Sequence, residues 1–264
     1  MRFALFGLHR GSSVDPEVLA RRARLAEDAG FEALWVGDHV ALPFDAPDAA
    51  LQPRLEAVIA LTYLAALTRR VRLGVGVIVL PQRQPVLLAK QLASLDVLSG
   101  GRLTVGIGVG YVDRELRALG ASLADRAART DEYLAAMRAL WDEPVPAFEG
   151  RFVSFDGVLQ RPRPAQRPYP PIVIGGESPA AYRRASREGS GWYGWQQTPE
   201  QVAEIRKSLR EDLEITITPP IALDAGLVRA YEDVGVDRLV VQPPVATGAA
   251  TEALIAATAE LIRS

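Results

Sequence analysis

The chain has 264 residues, with 30 lysines and arginines against 32 aspartates and glutamates for a net charge of −2. Neither sign dominates enough to create the steering field of a nucleic-acid or anionic-membrane partner. There is no cysteine, which excludes disulfides, thiolate metal ligands and cysteine nucleophiles together, and the two histidines, His9 and His39, are too few for a histidine-rich metal centre. No apolar run approaches a membrane span and the start lacks a signal-like apolar region, so a cytoplasmic protein is expected.

In chain order, strand-like and helix-like segments alternate, the pattern of a parallel sheet whose crossovers are helices. A strand over 2–8 leads to a helix over 16–29, with Asp15 as N-cap, Pro16 at the first helical position and Gly30 closing it. Then come a strand over 33–37, a helix over 54–68, a strand over 71–80, a helix over 85–98 and a strand over 103–109. Helical periodicity follows over 113–119 and 125–141. Strands over 171–174, 191–193, 214–218 and 238–242 alternate with helices over 179–188, 199–210, 225–234 and 249–262. The rhythm breaks between Glu143 and Pro171, where seven of the 19 prolines fall and a short hairpin over 148–159 is expected.

Eight strand-helix units in about 250 residues close most simply into one (β/α)8 TIM barrel, domain 1–264, with an irregular excursion between strands 4 and 5. Loops at the strand C-termini then build the active site. A doubly wound open sheet fits less well, because GIGVGY at 106–111 puts tyrosine where the dinucleotide fingerprint needs its third glycine.

Several residues at the strand ends could carry chemistry. Gly74 and Gly76 share one face of the third strand, as do Gly106, Gly108 and Gly110 along the fourth. A face stripped of side chains admits either a ligand or close packing inside a barrel. Asp38 and His39 follow the second strand. There the imidazole can exchange protons, or Asp38 can simply cap the loop while His39 bonds a carbonyl. Gly175, Gly176, Glu177 and Ser178 join a buried strand to a helix start, which suits a phosphate or an ordinary N-cap. Beside a phosphate Glu177 would repel it, so this carboxylate is expected to face a hydroxyl or a backbone amide. Arg83, between Pro81 and Pro85, could meet an anion bidentately or form a salt bridge. The remaining rim reads as aromatic and neutral, with Phe44, Tyr111, Trp192, Tyr193 and Trp195. A substrate pocket of His9, Phe44, Trp192 and Trp195 is expected, although Trp192 on its strand also reads as core.

Four stretches, 31–39 (FEALWVGDH), 80–102 (LPQRQPVLLAKQLASLDVLSGGR), 106–111 (GIGVGY) and 171–179 (PIVIGGESP), together resemble the bacterial luciferase-like monooxygenase family. They are similar to its deazaflavin-dependent branch. The resemblance implies a barrel that holds coenzyme F420 (a deazaflavin) or FMN at the strand C-termini. It implies a non-prolyl cis peptide near Gly76-Val77 in a bulged third strand that backs the ring, with Gly108 and Tyr111 as the neighbouring wall. Asp38 and His39 would flank the ring, His39 as proton donor or substrate-orienting group, and Gly175 to Ser178 would hold the ribityl phosphate and tail. The implied activity is hydride transfer between F420 and a neutral, largely apolar organic substrate. The alternatives are an FMN-dependent monooxygenase using reduced flavin, oxygen and a separate flavin or F420 reductase, and a non-catalytic flavin-binding protein. A homodimer is implied, and no metal. Two features depart from the family pattern: Tyr111 stands where some dehydrogenases carry an acid, and only a few residues around Asp224 separate the seventh strand from its helix, so a pocket-covering insertion is missing. The site is expected to be open or closed by a partner subunit.

Overall fold

The computed structural model describes residues 1–47, 52–243 and 248–263. Eight parallel strands close into a barrel: β1 (Arg2–Phe6), β2 (Ala33–Val36), β3 (Arg72–Val79), β4 (Leu103–Gly108), β7 (Ile172–Gly175), β8 (Gly191–Trp195), β9 (Glu214–Thr218) and β10 (Arg238–Val241). The excursion after β4 carries the expected hairpin, shorter than the 148–159 expected, as β5 (Phe148–Glu149) and β6 (Ser154–Phe155). Its turn is held from outside, because the Glu132 carboxylate accepts the backbone N–H groups of Arg151, Phe152 and Val153. Helices α1 (Pro16–Asp28), α2 (Ala57–Leu67), α3 (Pro85–Ser99), α4 (Asp113–Ala118), α5 (Arg126–Asp142), α6 (Pro179–Glu188), α7 (Pro199–Arg206), α8 (Ala225–Asp233) and α9 (Gly248–Arg263) complete the crossovers. Among the described residues no helix is long and apolar enough to cross a membrane.

The strands read as nearly continuous apolar runs because both faces are buried. Leu5, Leu34, Leu73, Val105 and Ile174 face the helices, whereas Ala4, Phe6, Ala33, Trp35, Tyr193 and Val240 form a separate interior cluster. The base of the barrel is closed by charge, with Arg238 paired to Glu32 and Glu214.

The alternating glycines are explained by two bulky intrusions into this interior. Trp35 lies opposite Gly74 in the β2–β3 register. A Cβ on Gly74 would come 2.4 Å from the Trp35 ring, and one on Gly76 would come 2.8 Å from it. The β3 glycines therefore make room for an indole, which is the packing reading of the two left open by the sequence. The second intrusion is a bulge. The β3–β4 register shifts between Val75 and Ile78, and the Gly76-Val77 peptide is cis, where the resemblance implied it. Cβ atoms on Gly108 and Gly175 would meet Val77 methyls at 2.4 and 2.6 Å, and one on Gly106 would meet the Val75 carbonyl at 2.0 Å. Glycines on β4 and β7 thus house the β3 bulge.

Candidate active site

Past the end of β2 the chain turns through Gly37, and Asp38 and His39 point to different partners. His39 donates through Nδ1 to Glu115 Oε2 at 2.9 Å. Glu115 lies in the first turn of α4, and its Oε1 also accepts the N–H groups of Val40 at 2.6 Å and Ala41 at 3.1 Å. Burial alone would raise the Glu115 pKa, but the hydrogen bonds from His39, Ala41 and Val40 carry it below the usual carboxylate range. An ionised carboxylate only accepts, so the His39 proton sits on Nδ1 and Nε2 is left for chemistry. Tyr111 stands edge-on to the imidazole at 6.1 Å and is otherwise 75% exposed. Sequence reasoning missed Glu115. Its only signal is an acid in the opening turn of α4, where a carboxylate is common for reasons of helix polarity alone.

Asp38 has a structural partner set. Its Oδ2 accepts the Val79 N–H at 3.0 Å and Arg83 Nε at 3.0 Å, and its Oδ1 pairs with Arg83 Nη2. The same guanidinium reaches Glu56 at 2.7 Å. Arg83 is therefore spent on two carboxylates, the salt-bridge reading of its two, and Asp38 fastens the end of β2 to the strand just beyond the bulge.

His9 is fully buried, accepts the Gly37 N–H on Nε2 at 3.2 Å and stands edge-on to Phe6. Burial, with Arg10, Arg54 and His39 nearby, lowers its pKa to about 3, so it is neutral. It underpins the β2 turn. Trp192, expected in the pocket, is instead core: its indole donates to the Gly176 carbonyl at 2.9 Å and meets Tyr182 edge-on between β8 and α6. Trp195 does face the barrel mouth, edge-on to Phe6 at 5.7 Å, whereas Phe44 is 88% exposed on the loop after β2. The rim is also less neutral than expected, because the Arg10 guanidinium lies over Phe6, 5.2 Å from the ring centre.

The luciferase-like monooxygenase model matches residues 1–262. The chain belongs to the luciferase-like monooxygenase family. An uncharacterised protein of Mycobacterium tuberculosis is 34% identical over 186 residues, and the match spans 66% of each chain. Among solved structures, the monooxygenase RslO1 from Streptomyces bottropensis superposes with a TM-score of 0.80 at 25% identity over 98% of both chains. An F420-dependent secondary alcohol dehydrogenase, solved with an F420-acetone adduct, superposes with a TM-score of 0.77 at 17% identity over 97% of this chain and 98% of its own.

Within this luciferase-like barrel, the residues at the mouth fit a flat ring. Val77 is only partly buried on its bulge and is flanked by Gly108 and Gly175, which leave a floor free of other side chains. The residues that the resemblance implied for the phosphate and tail divide by role. Gly175 lacks a side chain because Val77 occupies that space, while Gly176 has a φ of +120° that favours glycine. Ser178 caps α6 by accepting the Ala181 N–H, and Glu177 meets a backbone amide, accepting from Trp195 N at 3.1 Å. Residues 176–180 are exposed; Pro179 has no N–H and the Ala181 N–H is taken by Ser178, so an anionic tail here would meet the Ala180 amide and those of the loop just before α6.

Proposed function

We propose that the chain is an oxidoreductase that moves a hydride between coenzyme F420 and an organic substrate with a largely apolar body. The observation that carries this reading is the His39–Glu115 pair beside the Val77 floor. Bound there, the deazaflavin supplies a ring carbon that gives or accepts a hydride with two electrons. The Val77 bulge would support the ring, with Asp38 and Arg83 fixing the strand behind it, and residues 176–180 would take the phosphate and tail. His39 Nε2 holds or delivers the proton at the substrate oxygen as the hydride moves. Glu115 keeps the imidazole in one tautomer and balances its charge when protonated. Phe6 and Trp195 supply an apolar surround.

A second reading, favoured by the likeness to a monooxygenase at 25% identity, places FMN on the same floor, with oxygen as co-substrate and a separate reductase as partner. A non-catalytic flavin-binding role would leave the His39–Glu115 pair without a purpose. Titrating oxidised F420 and oxidised FMN into the cofactor-free protein separates the readings by affinity and spectral shift, and equal, weak binding of both would remove the deazaflavin assignment. Reduced cofactor is then offered a panel of carbonyls and imines. No turnover with tight binding would support the non-catalytic role. The homodimer implied by the resemblance has a suitable surface in Ile59 and Tyr63 of α2 with Leu87 and Leu98 of α3, all exposed. Light scattering tests it, with Ile59→Glu as the variant expected to dissociate the pair.

A further inference from the structure

Arg10 holds a charge at the barrel mouth that the described residues around it orient but do not balance. After β1 the chain turns at Gly7, with φ of +104°, and the Arg10 side chain folds back over that glycine, where a Cβ would lie 3.2 Å from Nε. The guanidinium rests on the Phe6 ring and donates from Nη2 to Gln242 Oε1 at 3.1 Å. Nε is buried without an acceptor. Among the described residues no carboxylate pairs with Arg10. Its backbone forms a bridge with Arg54, which brings a second guanidinium to the same side. Burial and the Arg54 charge both lower the Arg10 pKa, so both act against the charge held there.

Other buried guanidiniums are treated differently. Arg83 faces Asp38 and Glu56, Arg184 faces Asp131, and Arg238 faces Glu32 and Glu214. Arg102 lacks a paired carboxylate but donates to carbonyls of Ala65, Thr68, Val71 and Ser99. Among the described residues Arg10 has one neutral side-chain acceptor and a ring face. A partly buried guanidinium of this kind gains most from an incoming anion, because its desolvation has already been met by the fold.

We infer that Arg10 anchors a carboxylate on the substrate, whose apolar body lies along Phe6 and Trp195. The inference rests on the oxidoreductase reading for what happens at the other end of that substrate, and it replaces the neutral substrate expected from the sequence. Gln242 and the Phe6 face hold the guanidinium plane, so the carboxylate fixes the orientation in which a substrate presents its reacting carbon.

The test compares benzoate with the isosteric neutral benzamide by calorimetry, on cofactor-free and on cofactor-loaded protein. Benzoate is expected to bind on the order of tenfold more tightly than benzamide to the unmodified protein. In Arg10→Gln the preference should vanish, and in Arg10→Lys, which keeps the charge, part of it should remain. Circular dichroism melts confirm that both variants are folded. Equal binding of the two probes to the unmodified protein, or a benzoate preference that survives Arg10→Gln, would overturn the assignment. So would a loss of F420 and FMN affinity in Arg10→Gln with the benzoate preference intact, since that would assign Arg10 to the cofactor. Failure of the unmodified protein to bind either cofactor would remove the oxidoreductase reading alone, because the cofactor-free titration still decides the role of Arg10.

Discussion

The His39 imidazole is held by a carboxylate 76 positions away, Glu115, which at the same time accepts the two amides that follow His39 in the chain. One side chain of α4 thereby fixes both the ring and the loop that carries it. The pairing also bears on Tyr111, which stands where the resemblance implied an acid. An acid, Glu115, stands four positions later and reaches His39 from the first turn of α4.

Replacing Glu115 by Gln keeps an acceptor for the loop amides but removes the charge that balances a protonated His39. On a turned-over substrate kcat is expected to fall on the order of a hundredfold, the size of a general acid-base contribution. Cofactor affinity should change by less than about threefold, since Glu115 holds the imidazole and not the floor. His39→Ala should cost as much, and the double variant little more, because the two act as a unit. Additive losses would mean that Glu115 has a separate role.

The barrel was legible because parallel strands buried on both faces leave unbroken apolar runs, and the hairpin because prolines end the helical period around it. The candidate site was legible only where it follows from strand ends, as with the placement of His39 past β2, whereas Asp38 beside it is engaged by Val79 and Arg83. Glu115 was hidden because nothing local distinguishes it from an ordinary acid at a helix start. Arg10 was hidden because a single arginine after a strand reads as surface, and its lack of a counter-charge among the described residues is a property of distant parts of the chain. The glycines were legible as a pattern but not as a cause. Whether Gly74 makes way for a ligand or for Trp35 depends on strand register, which periodicity does not contain.

Gly74→Ala therefore tests the packing account directly. The new methyl would meet the Trp35 indole well inside contact distance, and overpacking of this kind costs about 1 to 3 kcal/mol. Trp35→Leu alone should also destabilise, by leaving a cavity. Combined, the two should be less damaging than the sum, with a favourable coupling in a double-mutant cycle read by urea unfolding. Strict additivity would show that Gly74 is needed for another reason.

Arg83→Met leaves Asp38 buried with its charge unanswered. Breaking such a pair from one side costs about 3 to 5 kcal/mol. Adding Asp38→Asn should recover part of the loss, because the amide oxygen can still accept the Val79 N–H without a buried charge. The urea midpoint at constant m-value measures both. A single variant as stable as the unmodified protein would show that the Asp38–Arg83 pair does not hold the β3 end in place.

The neutral, buried His9 makes a prediction about acid. Its pKa is about 3 in the folded protein against 6.5 for the exposed side chain, so between these values the unfolded chain binds a proton that the folded chain refuses. Stability from this group is complete above pH 6.5 and declines as pH falls toward 3, by about 1.4 kcal/mol per unit once below 6.5. From about pH 7 to about pH 5 the loss is about 2 kcal/mol. The carboxylates with lowered pKa, Glu115 and Glu214 among them, lose their contribution only at more acidic values, which leaves this window to histidine. His9→Gln can still accept the Gly37 N–H but cannot titrate. Urea unfolding at the two pH values should therefore show a drop in the unmodified protein that is smaller by about one proton's worth in the variant. Parallel drops in both proteins would mean that His9 protonates in place, and that the base of the β2 turn is open to water.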